Sequence, residues 1–174
     1  QPLECTETDV RRAARDEHLR VVEGPGRIEP GVGTDEPLLL GEKSFAANGQ
    51  PHFAMAVSSL ELLRVPSKFT NKAYIKLCAD ATFKCVFGDW CVISLGVLSK
   101  RYIRTRCPGT RSFASSTAWA THFTPIVYVV SSGETYEAYK LGMMAAVSFV
   151  QDQTGVDLRE CTRQFHADMS DAAE

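Results

Sequence analysis

Asp80 and Asp168 are the residues whose type and setting could do chemistry together. Asp80 follows the strand-like run AYIKLCA (73–79), inside the stretch KLCADATFK, and Asp168 closes RQFHAD (163–168). A carboxylate at the end of an apolar run needs hydrogen bonds, a counter-charge or a metal ion, because burying it unpaired is costly. Two carboxylates on neighbouring strands, about 4.8 Å apart, suit hard divalent cations with oxygen ligands, Mg²⁺ above all. Two such ions activate an attacking water or hydroxyl and stabilise the leaving oxygen in phosphoryl transfer. The alternative is structural: Asp168 as the N-cap of a helix starting at Met169, and Asp80 closing a turn with Thr82. On pattern alone the structural alternative comes first. Asp171 competes for the second place, but it belongs to the helix start, whereas Asp168 ends the strand.

Whether the two acids meet depends on the elements that carry them. Residues 73–79 alternate as on a strand, CVISLGVL (91–98) reads as a second strand after a Gly88–Asp89 turn, and FTPIVYVV (123–130) as a third. The last is nearly all apolar, which suits a sheet centre, with Pro125 near its start. SSGETYEAYKLGMMAAVSFVQDQTG (131–155) is the clearest helix. Ser131 with Glu134 three residues later is a capping-box pattern, and Gly155 fits the stop. The strand 163–168 and a further helix start follow. Short connections make the first three strands an antiparallel meander, and the helix becomes a crossover returning the chain to the sheet. With the fourth strand beside the first, Asp80 and Asp168 share one end of the sheet, at carboxyl ends of strands, where open α/β sheets place their sites.

Upstream, HFAMAVSSLELLRV (52–65) alternates through Phe53, Met55 and Val57, then continues as a helical turn capped by Ser58 or Ser59 and ended by Pro66. Residues 6–23 have a thin helical stripe of Val10, Ala13, Ala14, Val21 and Val22, and 23–37 is rich in Gly and Pro, as in a linker. The expected division is an acidic, partly disordered segment over 1–50 and a core over 51–174. Composition is that of an ordinary globular protein, 44% hydrophobic and 23% charged, with a net charge of -2 that predicts neither polyanion nor membrane binding overall. No apolar run approaches the roughly 20 residues of a membrane helix. The six cysteines form no CxxC pair, and no signal peptide is visible, so reduced thiols in an intracellular protein are expected. Charge is nevertheless uneven: no Asp or Glu lies between Trp90 and Gly133, where Lys100, Arg101, Arg104, Arg106 and Arg111 all fall. This segment is expected to form a long loop or irregular hairpin.

Several of these segments together resemble a known family. ADATFK looks like the DGT(F/Y)(K/R) segment bearing the first catalytic aspartate of Mutator-like element (MULE) transposases, with Ala81 in place of the usual glycine. SSGETYEAY is similar to the stretch that opens the helix after the third strand, with Gly133 added. QFHADMSDAAE resembles the strand-to-helix segment bearing the second aspartate, and FAMAVSSLELLR the segment before the core. The resemblance covers about residues 52–174, and its strength lies in the order of the motifs rather than in any one. It implies a ribonuclease-H-like mixed sheet, truncated before its C-terminal part. It also implies DNA cleavage and strand transfer by Mg²⁺ or Mn²⁺ held by Asp80 and Asp168 as the first two members of a DDE triad. The third, a glutamate on a later helix, is expected after Glu174, so this fragment alone is expected to be inactive. Nuclear localisation, and any self-association through regions outside this chain, are implied in the same way. The alternative is a transposon-derived, non-catalytic DNA- or protein-binding protein.

The remaining chemistry-bearing residues carry weaker signals. His166 shares a strand face with Asp168, and a hydrogen-bonded structural histidine is the favoured reading. Zinc held by Cys78, Cys85, Cys91 and His122 or His166 would need ligands scattered over several elements without paired spacing. Lys84, Lys100, Arg101, Arg104 and Arg106 could contact phosphates, and Tyr102 and Phe113 could stack on bases, or the segment is a solvated loop.

Overall fold

The strands pair into one seven-stranded mixed sheet. The computed structural model describes residues 6–16, 19–69, 75–83, 90–104 and 117–167. In chain order the elements are α1 (Glu7–Asp16), β1 (Arg20–Val21), β2 (Leu38–Ala47), β3 (Gln50–Ser58), α2 (Leu60–Leu63), a 3-10 turn (Val65–Lys68) and β4 (Ile75–Phe83). There follow β5 (Cys91–Arg104), β6 (Thr117–Ser131), α3 (Tyr136–Thr154), α4 (Leu158–Cys161) and β7 (Thr162–Ala167). The sheet order is β1-β2-β3-β6-β5-β4-β7. The antiparallel meander β4-β5-β6 forms as the sequence predicts, and β7 returns to lie parallel to β4.

The period-2 pattern sorts side chains onto two faces. Ile75, Leu77 and Ala79 of β4, Ile93 and Leu95 of β5 and Val127 and Val129 of β6 are buried in one cluster with Ala138, Ala146, Phe149 and Val150 of α3. Burying each large apolar side chain contributes about 1.5–3 kcal/mol. The helix lies close to the sheet at Gly142, where an added Cβ would come within 2.3 Å of Leu95 Cδ1 and 2.6 Å of Val129 Cγ2. On the opposite face Val10 and Ala14 of α1 cover Leu39, Phe53, Met55 and Trp90. The Arg11 guanidinium lies 4.8 Å from the Phe53 ring centre and is paired with Glu7 and Glu42.

Several expectations are corrected. The helix expected over 6–23 stops at Asp16, and Arg20–Val21 instead pair with β2. Leu38–Ala47, grouped with the N-terminal segment, is a strand joined to β3 through Asn48 and Gly49, with φ of 50° and 74°. Two positive φ values at an Asn-Gly pair are the two-residue turn whose twist matches a hairpin. β4 does not end before Asp80: it runs on to Phe83 because Ala81, Thr82 and Phe83 pair with Ile93, Val92 and Cys91. Pro125 sits inside β6, beside a register shift opposite Leu95 and Gly96, where an interrupted ladder tolerates its missing N–H. Helix α3 starts later than the capping box predicts. Thr135 is the N-cap, accepting from the Ala138 N–H at 3.3 Å, while Ser131 remains in β6 and its hydroxyl donates to the Gly133 carbonyl at 2.8 Å. Gly155 ends the helix as expected, with φ 69° and its N–H on the Gln151 carbonyl at 2.8 Å.

Candidate metal and nucleic-acid site

Strand alternation decides where Asp80 points. With Leu77 and Ala79 buried against α3, Lys76, Asp80 and Thr82 are exposed on the opposite face. Asp80 is opposite Ser94 in the β4–β5 pair, and Cys78 is opposite His166 in the parallel β4–β7 pair. His166 and Asp80 therefore share one face of the sheet. Together with Cys78, Ala79, Leu98, Phe123, Phe165 and Ala167 they line a depression of about 660 Å³. Among the described residues the last pair of the β4–β7 ladder is Ala79↔Ala167, and the residues that follow these two in sequence are Asp80 and Asp168.

The floor of the depression depends on Gly96. A Cβ there would come within 2.3 Å of the Thr124 carbonyl oxygen and 2.7 Å of the Phe123 ring. The bare glycine lets Phe123 lie over the strand and form an apolar wall. Cys78 is half-buried beside Asp80, and its thiol is pushed up first by desolvation and then by the Asp80 charge. No hydrogen bond or ion pair to another described residue engages the Asp80 carboxylate. An exposed carboxylate at a concave surface fits a hard cation that keeps most of its waters and takes one or two protein carboxylates.

A second polar group lies under α3. The Tyr139 hydroxyl donates to Glu134 Oε1 at 2.7 Å. Tyr139 is buried, and its phenol is pushed up first by desolvation, then by the hydrogen bond to Glu134. Cys91, fully buried nearby, has its thiol pushed up to about 11, chiefly by burial and then by the Glu134 charge. Glu134 thus orders the approach to α3 through Tyr139, and not through a capping box. A further cavity of about 320 Å³, beneath α1 between Leu39 and Met55, lies at the other end of the sheet.

The predicted site residues are only partly brought together. Asp80 and His166 meet at the depression. Lys100, Arg101 and Arg104 lie on β5, and Lys100 is about 20 Å along that strand from Ser94, the partner of Asp80, at about 3.4 Å per residue. Asp168, Lys84 and Arg106 lie outside the described residues. Among the described residues no group of three or more His, Cys, Asp or Glu is arranged to hold a metal ion, and Cys85 of the zinc set lies outside them. Cys78 could have been found from sequence by stepping two residues back from Asp80. Phe123 and Gly96 could not, because they meet across strands at a register shift.

No helix among the described residues is long and apolar enough to cross a membrane. Comparison with protein-family models, with curated proteins and with solved structures finds no match.

Proposed function

We propose that this chain carries the first part of a ribonuclease-H-like catalytic core of the Mutator-like element type, acting on DNA with Mg²⁺ or Mn²⁺. The observation that carries this reading is the strand order β6-β5-β4-β7, with β7 parallel to β4 and Ala79, the residue before Asp80, paired with Ala167, the residue before Asp168 in sequence. The motif resemblance of ADATFK, SSGETYEAY and QFHADMSDAAE falls in the same order on β4, the α3 entry and β7.

In this reading Asp80 and Asp168 hold the metal. When bound, the ions activate the attacking oxygen and stabilise the leaving oxygen of a phosphodiester. The chain itself supplies a rigid strand under Asp80, an exposed carboxylate free to lose water to a ligand, and a wall of Leu98 and Phe123 that limits solvent on one side. Lys76, exposed on the Asp80 face, adds positive charge toward a phosphate backbone.

Paramagnetic broadening tests the reading. Substoichiometric Mn²⁺ should first broaden the amide signals of residues 78–82 and 164–167. Broadening confined to other segments, or none at millimolar Mn²⁺, would leave the non-catalytic alternative.

A further inference from the structure

The cavity beneath α1 takes no part in the metal site. It forms where α1 turns Ala14, the smaller of its two buried side chains, toward the sheet, and where β2 shifts register between Leu39 and Gly41. About 320 Å³ lies there, with Leu39 and Met55 among its apolar walls. Ligand pockets begin near about 300 Å³ and are mostly apolar, with a few placed polar groups. Val21 lines the same space and is 65% exposed, an apolar side chain left in water. Three charged side chains complete the lining: Arg11, Arg15 and Glu42. Arg11 Nη2 lies 2.9 Å from Glu7 and 3.3 Å from Glu42, so the Glu42 charge is already matched. Arg11 Nε, by contrast, is buried without an acceptor. Arg15 donates its Nε–H to the Arg11 carbonyl at 3.2 Å, and no carboxylate of a described residue pairs with it.

We propose that this cavity binds an amphipathic monocarboxylate, a medium-length acyl chain ending in a free acid. The acyl chain lies against Leu39 and Met55, and the carboxylate sits at Arg15. Charge complementarity selects the head group. The lining holds two cations and one anion, and the anion is held by Arg11, so the unmatched charge is positive and belongs to Arg15. With its Nε–H on the Arg11 carbonyl, Arg15 keeps both Nη groups for a ligand. A carboxylate accepts from such a pair through two parallel charge-assisted bonds. Beside an apolar, partly enclosed space those bonds are stronger than in water. The apolar walls select the tail, because burying an acyl chain against Leu39 and Met55 also covers the exposed Val21. The cavity lies by β1 and β2, at the opposite edge of the sheet from β4 and β7, so this inference does not rest on the reading under Proposed function.

The experiment titrates the isotope-labelled 174-residue chain with octanoate and follows the amide signals, with octanol and acetate as controls. Octanoate should give saturable shifts at residues 14–15, 19–22, 39–42 and 55. Octanol keeps the chain and loses the charge, and should bind about 10-fold more weakly, the factor expected for a charge-assisted hydrogen bond. Acetate, without the chain, should not saturate. Arg15→Gln should weaken octanoate by about 10-fold and leave octanol unchanged. Ala14→Leu, which fills the space, should abolish both. Absence of saturable shifts at these residues overturns the proposal, as do unsaturable shifts spread over the whole chain. Equal octanoate affinity in the wild type and Arg15→Gln overturns it too. If Ala14→Leu misfolds, the wild type decides: nuclear Overhauser contacts should run from octanoate methylene protons to Leu39 and Met55, and their absence overturns the site.

Discussion

Ala79 of β4 and Ala167 of β7 are register partners in the parallel ladder, and each is followed in sequence by an aspartate. Ala79 is 1% exposed beneath α3, so the residue after it on the same strand belongs to the opposite, open face. That alternation, more than proximity to a strand end, leaves the Asp80 carboxylate in water at the depression it shares with His166.

Gly96 fixes the wall of that depression. Gly96→Ala would press a methyl group onto the Thr124 carbonyl, a backbone atom that cannot swing away, and onto the Phe123 ring. Overpacking of this kind costs about 1–3 kcal/mol. Urea unfolding should show a lower midpoint at an unchanged m-value, with changed environments at Phe123 and Cys78. An unchanged midpoint would mean that Phe123 does not cover the glycine.

Cys91 and Tyr139 predict an alkaline weakness. Both folded-state groups are raised, so the stability they contribute is whole below their unfolded values and is lost as pH rises. For Cys91 the window runs from 9.0 to about 11, with a loss of about 1.4 kcal/mol per pH unit. Tyr139, raised further by burial and by Glu134, extends the decline to higher pH. Cys91→Ala should start from a lower stability at pH 7 but fall less steeply over that window. Parallel slopes in the wild type and the variant would show that the buried thiol does not titrate with unfolding.

Much of this arrangement was legible in the sequence because it rests on period. The alternation of 73–79, 91–98 and 123–130 and the helical spacing after Thr135 are local signals, and a short-connected meander followed by a helix leaves few places for the next strand. β2 was not legible: Leu38, Leu39 and Leu40 are all buried, and the exposed Glu42, Lys43 and Ser44 follow, so the strand shows no alternation until β3 pairs with it. For a related reason the extension of β5 and β6 past the apolar runs read equally as a long loop or an irregular hairpin. Lys100, Arg101 and Arg104 interrupt its apolar pattern, and the strands show in the cross-strand pairing. Glu134 fitted a capping motif in sequence, but Thr135, one residue on, has the hydroxyl in capping position, and Tyr139 takes the glutamate instead. At the site, Asp80 stood out as an acid after an apolar run, whereas Gly96 and Phe123 acquire meaning only once the strands are paired.

The most direct test of the central claim is Mn²⁺ affinity measured by titration for the wild-type chain and for Asp80→Asn and Asp168→Asn. Removing one of two carboxylate ligands from a hard-cation site should weaken binding at least 10-fold in each variant, a change of about 1.4 kcal/mol or more, while the urea midpoint of Asp80→Asn stays near wild type because Asp80 is exposed. Unchanged Mn²⁺ affinity in both variants would contradict the metal site and the proposed chemistry with it.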